Sequence, residues 1–395
     1  MTSRATLTAL VCLAGIVTTV PAYADFDACL AGIQGQAAAA GVSAQAFRAA
    51  TKGIEYDDKV IELSQKQPEF KTPIWDYMAA LVDDERVEDG KAAMRRNAQA
   101  LATAEQRYGV DRHVIAAVWG VESNFGKNLG TMPLVQSLAT LACSGNRRRD
   151  FFRGELLATL KIIERGDIEP SRLTGSWAGA FGQTQFMPST YQRLAVDLDG
   201  DGRRDVVDST ADAVGSTANF LRAAKWSNGM GWGYEVKLPR GFNTAAAGRT
   251  RKHPVGHWTS LGVTKLDGSA LSASGPVGIL APAGANGPAF LVTKNFDSIY
   301  SYNAAESYGL AIAVLSDRLR GRAGVQAEWP TDDPPLSRAE RRDLQVRLTR
   351  KGYDVGEPDG KVGEKTREAI KAVERSLGMP LTGRPGGKVL QALGG

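Results

Sequence analysis

The stretch that most constrains the fold of this chain is residues 111–126, which read Asp-Arg-His-Val-Ile-Ala-Ala-Val-Trp-Gly-Val-Glu-Ser-Asn-Phe-Gly. Its apolar residues recur at the spacing of a helix face, and Asp111 stands where a helix N-cap is preferred. The pattern predicts a mostly buried helix that ends near Asn124. The rest of the chain is predicted to be organised around this helix.

Glu122 comes at the end of this apolar helix. An unpaired ionised carboxylate there would be costly, because burial removes the water that stabilises its charge. The site should therefore either supply a partner or raise the pKa of Glu122 until the acid stays protonated near neutral pH. The second outcome would make a general acid. A glutamate that turns out to solvent as the helix ends is the alternative, and the pattern alone leaves both open.

With 43% hydrophobic and 23% charged residues, the composition is that of an ordinary soluble globular protein. The length of 395 residues is enough for two or three domains. Arg4 is followed by an apolar run over residues 7–20 and by Pro-Ala-Tyr-Ala, which predicts a secretory signal peptide over residues 1–24. No later segment is apolar long enough to span a bilayer. We therefore expect a soluble, exported mature chain.

The charge of the chain does not favour a nucleic-acid partner. Removal of residues 1–24 takes away Arg4 and no acid, so the formal net charge falls from +5 by one, to +4. No block of lysines and arginines is interleaved with aromatic residues in the way that nucleic-acid binders require. We expect no nucleic acid among the partners.

Two of the three cysteines remain after removal of the signal peptide, because Cys12 leaves with it. An exported chain that keeps Cys29 and Cys143 is predicted to join them in a disulfide. Two buried free thiols are the alternative.

Helical periodicity recurs along the chain and predicts a mainly α fold. Predicted helices cover residues 29–37, 43–50, 74–81, 151–164, 213–224 and 295–319. Between about 236 and 294 the chain is rich in Gly, Pro and Ser, and alternation over 258–263 and 289–292 predicts strands in a small β-containing insertion.

The C-terminal part divides into a linker and a small separate unit. Residues 321–335 are polar and contain three prolines, which predicts a flexible linker. Residues 336–395 carry two amphipathic segments around a Gly-rich turn and a short third segment, which predicts a three-helix bundle.

An acidic loop over residues 197–208 has the pattern of an EF-hand calcium loop, with Gly at the sixth position for the sharp turn. The twelfth position is Asp208 rather than the usual Glu, and its shorter side chain leaves Asp212 as an alternative closing ligand. An Asp/Gly turn without metal is the other interpretation. The predicted calcium ligands are Asp197, Asp199, Asp201, Arg203 through its carbonyl, Asp208 and Asp212.

Several runs of this sequence are similar to a known family. Residues 25–320 resemble the lytic transglycosylase B family, glycoside hydrolase family 103, which cleaves bacterial peptidoglycan. The matching residues are Glu122-Ser-Asn-Phe-Gly, Ala178-Gly-Ala-Phe-Gly, Gln185-Phe-Met-Pro-Ser, the acidic loop, Asn219 and Trp232-Gly. The resemblance implies a lysozyme-like helical catalytic core with a small β part, a periplasmic location, and structural calcium at the acidic loop.

The resemblance also implies roles for individual residues. Glu122 would be the single catalytic acid/base, and Arg147 and Arg148 would lie near the stem peptide. Phe220 stands where relatives often carry Tyr, and Tyr77 matches a groove tyrosine only by its distance along the chain from Glu122. The implied substrate-binding residues are Tyr77, Ser123, Arg147, Arg148, Gln185, Phe220, Tyr302, Asn303 and Tyr308.

The unit over residues 336–395 resembles the peptidoglycan-binding domain of three helices, with Val373-Glu374 where Phe-Gln is usual. The whole chain would thus act on glycan strands that carry stem peptides.

The reaction that the resemblance implies needs only one protein carboxylate. Glycoside hydrolysis normally uses two. A 2-acetamido group of the substrate can replace the second, and a muramic 6-hydroxyl can then close a 1,6-anhydro ring. A hydrolytic muramidase and a non-catalytic wall-binding protein are the alternatives.

Overall fold

The structure is a computed structural model that describes residues 22–65, 72–145 and 147–394. The predicted signal peptide lies outside this part, apart from residues 22–24 at the start of the first helix. Within the described ranges, no helix is long and apolar enough to cross a membrane.

The fold is mainly α, as predicted, with two small antiparallel sheets. The helices are α1 (Ala22–Ala39), α2 (Ala44–Thr51), α3 (Asp58–Gln65), α4 (Ile74–Leu81), α5 (Asp84–Arg96), α6 (Ala98–Tyr108), α7 (Arg112–Ser123), α8 (Leu134–Cys143), α9 (Arg149–Arg165), α10 (Pro188–Leu194), α11 (Thr210–Ala223), α12 (Val255–Ser260), α13 (Lys294–Tyr300), α14 (Glu306–Leu319), α15 (Arg338–Arg350), α16 (Glu364–Ser376) and α17 (Gly387–Ala392). The strands are β1 (Met132–Pro133), β2 (Thr174–Gly175), β3 (Gly233–Lys237), β4 (Thr264–Lys265), β5 (Gly278–Leu280) and β6 (Ala289–Val292).

The region predicted to be catalytic, residues 25–320, is called the catalytic region below, and its centre is α7, the helix predicted from residues 111–126. Asp111 is its N-cap and accepts a hydrogen bond of 2.8 Å from the backbone N–H of His113. Every residue from Val114 to Gly120 is buried, because α5, α6, α11 and α14 pack around the helix. The apolar surface that the sequence places on all sides of α7 is thereby removed from water.

Helices α1, α2, α3, α8 and α9 form a second layer with its own apolar core. The predicted disulfide is confirmed: Cys29 on α1 is bonded to Cys143 at the end of α8. The bond therefore joins α1 to α8 within this layer.

The β-containing insertion is a four-stranded antiparallel sheet in the order β4-β3-β6-β5. The predicted strand over 289–292 is confirmed, but the predicted strand over 258–263 is wrong, since α12 covers Val255–Ser260. Pro254 precedes the first turn of α12, where its missing N–H costs nothing. Trp258 is fully buried and donates a hydrogen bond of 2.8 Å to the carbonyl of Val277, and Val263, just after the helix, is buried as well, whereas Leu261 between them is exposed.

The helix predicted over residues 295–319 is two helices, α13 and α14. Ala304 in the break has φ +51°, a left-handed conformation that an α-helix cannot contain. The break turns the chain so that Tyr302 and Tyr308 stack at 6.2 Å between ring centroids.

The segment predicted as a flexible linker, residues 321–335, contains no helix or strand but is packed against the catalytic region. The backbone N–H groups of Gln326 and Ala327 donate to the carboxylate of Glu235 at 2.8 and 2.9 Å. Val325 and Trp329 pack on the apolar core around α7. The prediction of a flexible linker is therefore wrong for this part of the segment, because the backbone N–H groups of a flexible linker would be hydrogen-bonded to water rather than to Glu235.

Helices α15, α16 and α17 surround a small apolar core and form the predicted three-helix unit. Ser337 and Glu340 make a capping box at the start of α15. The unit docks on the catalytic region through Arg384, whose Nη2 donates to Asp76 at 2.7 Å, and through Arg342, whose Nη1 donates to Glu85 at 3.0 Å.

Replacing both Cys29 and Cys143 with serine should lower the melting temperature of the full chain. The bond closes a separation of 114 residues, and the chain-entropy model gives such a loop about 5 kcal/mol of stabilisation. We expect a decrease on the order of 10 °C by circular dichroism. Each single serine variant, as the control, should lose as much as the double variant. An unchanged melting temperature in all three would contradict this role of the bond.

Candidate active site

Glu122 lies in the last turn of α7, and the chain reverses directly after it. Asn124 and Phe125 both have positive φ angles, of 50° and 58°. The turn is closed by the backbone N–H of Asn124, which donates to the carbonyl of Gly120 at 3.1 Å. The Phe125 ring folds back on α7, and a Cβ at Gly120 would lie 2.5 Å from it. Only glycine fits at position 120 while the ring holds the turn.

The carboxyl group of Glu122 has a single hydrogen-bond partner among the described residues, the hydroxyl of Tyr308, which donates to Oε1. Burial raises the pKa of Glu122 to about 7, and the Tyr308 hydrogen bond acts in the opposite direction. No second carboxylate of the described chain contributes to this shift. The site thus has both outcomes that the sequence predicts as alternatives: Tyr308 is a hydrogen-bond partner, and the raised pKa leaves the carboxyl protonated in a large fraction of molecules at neutral pH.

Aromatic residues from three parts of the chain form a wall beside Glu122. The Phe220 and Tyr302 rings lie 4.5 Å apart between centroids, and Phe186 lies 5.7 Å from Tyr302. Tyr302 donates through its hydroxyl to the carbonyl of Thr184 at 2.7 Å. Burial raises the pKa of both Tyr302 and Tyr308 well above the ordinary tyrosine value. Both phenols therefore stay neutral and remain hydrogen-bond donors.

A loop over residues 176–187 borders the site and is held by two glutamines. Gln185 has φ +50°, and its Nε2 donates to the carbonyls of Leu129 and Gly182 at 3.1 and 2.9 Å. Gln183, which the sequence did not single out, accepts a 2.9 Å hydrogen bond from the Trp119 indole. Its position inside a run of small residues is the signal that could have identified it, since amides in such a run must find partners.

One residue predicted to bind substrate, Ser123, stabilises the fold instead. Ser123 is fully buried, and its hydroxyl donates to the carbonyl of Trp119 and accepts from the N–H of Gly126, both at 3.1 Å. This hydroxyl closes the end of α7, so the structure corrects its predicted role. Gln185 is only partly buried and its amide nitrogen bonds to backbone carbonyls, so its role in substrate binding stays a prediction.

The other predicted residues are more accessible. Asn303, Arg147 and Arg148 are exposed, and the Arg148 guanidinium lies 4.4 Å above the Phe151 ring. Tyr77 is half-buried on the core around α7, and it is near enough to Tyr308 to raise the pKa of that phenol.

The acidic loop brings four carboxylates together. One oxygen from each of Asp197, Asp199, Asp201 and Asp212 lies within 4.8 Å of the others. Oxygen-rich clusters of this kind suit Ca²⁺. Asp212 is buried and accepts backbone hydrogen bonds of 2.7 Å from Leu198 and Asp205, which fixes it beneath the loop.

Asp208, the twelfth residue of the loop, faces away from this cluster. Its Oδ2 accepts a 3.1 Å hydrogen bond from the Nε of Arg172. Of the two closing ligands considered, the structure places Asp212 with the cluster and Asp208 outside it. The side chain of Arg203 is exposed on the loop.

Comparison with known proteins agrees with this architecture. A family model described as "Transglycosylase SLT domain" matches residues 25–317, and one described as "Putative peptidoglycan binding domain" matches residues 337–393. The membrane-bound lytic murein transglycosylase B of Escherichia coli (strain K12) is 32% identical over 269 residues, 65% of this chain and 70% of the relative.

Two solved structures are similar in both sequence and fold. SltB3 from Pseudomonas aeruginosa, solved in complex with NAG-anhNAM-pentapeptide, is 43% identical with a TM-score of 0.75, over 93% of this chain and 99% of that one. Escherichia coli Slt35, solved in complex with calcium, is 26% identical with a TM-score of 0.65, over 75% of this chain and 93% of that one. The chain therefore belongs to the lytic murein transglycosylase B family, and it is a lytic transglycosylase that carries a C-terminal peptidoglycan-binding domain.

Proposed function

We propose that this enzyme cleaves the β-1,4 bond between N-acetylmuramic acid and N-acetylglucosamine and leaves 1,6-anhydromuramyl ends, with Glu122 as the only protein acid/base. The observation that carries the proposal is the partly buried Glu122 carboxyl, which is bonded to Tyr308 and whose pKa is raised by desolvation, with no second carboxylate of the described chain contributing to the shift. Glycosidases that use a protein nucleophile hold a second carboxyl group a few ångströms from the acid.

In the first step, protonated Glu122 gives its proton to the glycosidic oxygen as the bond to the muramic anomeric carbon breaks. The carbonyl oxygen of the substrate's 2-acetamido group attacks that carbon and forms a cyclic oxazolinium ion. Glu122 is then a carboxylate, and the Tyr308 hydroxyl stabilises its charge through their hydrogen bond.

In the second step, the Glu122 carboxylate takes the proton of the muramic 6-hydroxyl as that oxygen attacks the anomeric carbon and releases the acetamide. The 6-hydroxyl belongs to the same sugar, and such attack can have an effective molarity on the order of 10⁵ M or more. The aromatic wall of Phe186, Phe220 and Tyr302 limits the access of competing water.

The remaining groove residues fit roles in holding the polymer. Tyr77, Tyr302 and Tyr308 line the side of Glu122, exposed Asn303 can contact sugar hydroxyls, and Arg147 and Arg148 offer charges to stem-peptide carboxylates. The NAG-anhNAM-pentapeptide complex of SltB3 supports a peptide-bearing muramyl product. A periplasmic location follows from the same substrate, together with the signal peptide predicted over residues 1–24.

We further propose that Ca²⁺ stabilises the acidic loop. Asp197, Asp199, Asp201 and Asp212 would hold the ion, with the Arg203 carbonyl as a further ligand in the EF-hand pattern. Bound Ca²⁺ would offset the mutual repulsion of these carboxylates. The calcium complex of Slt35 supports this assignment.

Glu122→Gln should abolish cleavage and leave folding and sacculus binding intact, because only the transferable proton is lost. Wild-type digests of purified murein should contain muramyl ends about 18 Da lighter than hydrolysed ends, by loss of one water, and no new reducing termini. Mass spectrometry of the digests measures both the loss of cleavage in the variant and the mass of the muramyl ends made by the wild type. Reducing muramic ends that disappear in the variant would show a hydrolytic muramidase, and residual turnover within about tenfold of wild type would remove Glu122 from the mechanism.

The fall of kcat/KM at alkaline pH should follow the ionisation of the Glu122 carboxyl. A general acid must be protonated to act, so kcat/KM should fall as pH rises through about 7, the raised pKa of Glu122. Tyr308→Phe removes the hydrogen bond that lowers the pKa of Glu122, so its alkaline limb should move to higher pH. Phe220→Tyr, as a matched groove control, should leave the limb in place. A limb that stays fixed in Tyr308→Phe would contradict the assignment.

Millimolar Ca²⁺ should raise the melting temperature of the full chain by a few degrees relative to chelator, because it binds only the folded loop. Asp201→Asn should abolish the rise, whereas Asp208→Asn should keep it, since Asp208 is bonded to Arg172. Activity at low temperature should survive chelation. The absence of any calcium-dependent shift in the wild type would exclude the site.

A further inference from the structure

Arg86, in the first turn of α5, touches the end of the catalytic helix. Only 8% of this residue is exposed, and its Nη1 donates to the carbonyl of Gly120. The same carbonyl accepts the N–H of Asn124, which closes the turn after Glu122. A guanidinium at the C-terminal end of a helix is also favoured by the helix dipole. Arg86 therefore holds the backbone two residues before Glu122 without touching the carboxyl group.

A second contact joins the same two helices at this point. The Phe125 ring is inserted between α5 and α7, where a Cβ at Gly90 would lie 2.7 Å and a Cβ at Gly120 2.5 Å from it. The turn that carries Glu122 is thus both hydrogen-bonded to α5 and packed on it.

Arg86 is connected in turn to the peptidoglycan-binding domain. Asp83 is the N-cap of α5, and its Oδ1 accepts a 2.9 Å hydrogen bond from the backbone N–H of Arg86. Its Oδ2 lies 3.6 Å from Nη2 of Arg338, on α15 of the C-terminal domain. The side chains of Asp83 and Arg338 are 2% and 17% exposed. This interdomain ion pair is therefore largely buried, and breaking one is costlier than breaking a surface pair.

We propose that Arg86 is a positioning residue for Glu122, and that docking of the C-terminal domain through Arg338 and Asp83 holds Arg86 in place. The domain then sets the turnover of each bound glycan strand, in addition to binding the polymer. The inference rests on the proposed role of Glu122. If domain docking is coupled to the position of Glu122, loss of the Arg338–Asp83 pair changes kcat.

The expected effect is on kcat rather than on KM. Displacement of a reacting group by about 1 Å can cost on the order of 10²-fold in rate, whereas the aromatic wall that binds the sugars lies on other elements. Loosening the turn should therefore slow proton transfer and leave substrate affinity nearly unchanged.

The test measures kcat and KM of full-length variants on soluble murein fragments, which need no anchoring to a sacculus. Arg86→Met and Arg338→Met should each lower kcat by roughly 10-fold or more with KM within about twofold. Arg86→Lys should recover most of the loss, because a lysine ammonium can still donate to the Gly120 carbonyl. The double methionine variant should be no slower than Arg86→Met alone, since both changes act on one route.

Arg342→Met is the matched control. Arg342 lies on the same helix as Arg338 and pairs across the same interface with Glu85, but both of these side chains are more than a third exposed. Its kcat should stay within about twofold of wild type, because exposed pairs contribute little.

Three results would overturn the proposal: an unchanged kcat in Arg86→Met or in Arg338→Met, an equal loss in Arg342→Met, or additive losses in the double variant. Circular dichroism and sacculus binding are measured for each variant to check that it is folded. Product masses in the wild-type reaction report the proposed chemistry separately, so reducing ends there would reject the anhydro reaction while leaving the comparison of kcat values intact.

Discussion

The proposed reaction depends on the desolvation of one carboxyl group at the end of one helix. Helix α7 is buried from Val114 to Gly120, and desolvation of the Glu122 carboxyl at its end raises the pKa of that group to about 7. The Tyr308 hydroxyl then limits how far the pKa rises. The two influences leave a group that can give a proton and take one back, which a reaction with a single acid/base requires.

The sequence predicted the parts of this arrangement that are local. The apolar spacing after Asp111 predicted α7 together with its N-cap, and the pattern over residues 74–81 predicted α4 with the observed bounds. Both predictions succeed because a buried helix face leaves a period in the sequence that does not depend on its neighbours. The cysteine pair was predicted correctly for a similar reason, since export left only two candidates.

The parts that the sequence could not predict arise from tertiary contacts. Residue type alone could not show that the Tyr308 hydroxyl, 186 positions away, bonds to Glu122. The positive φ of Ala304, which divides the predicted helix, is equally invisible in an alanine. The proline-rich segment after Gly321 has the composition of a flexible linker, yet two of its backbone N–H groups donate hydrogen bonds to Glu235. Gln183 and Arg86 were missed because each acts on backbone or indole groups rather than on substrate.

The central claim is that desolvation raises the pKa of Glu122 to about 7, so that a large fraction of the resting enzyme holds the protonated acid at neutral pH, and the titration of Glu122 tests this most directly. In protein labelled with ¹³C at the glutamate carboxyl, the Glu122 signal can be assigned as the one missing from Glu122→Gln. The account predicts that this signal titrates with a midpoint of about 7. A midpoint near 4.5, the ordinary value for glutamate, would mean that the carboxyl is ionised at neutral pH and would contradict the account.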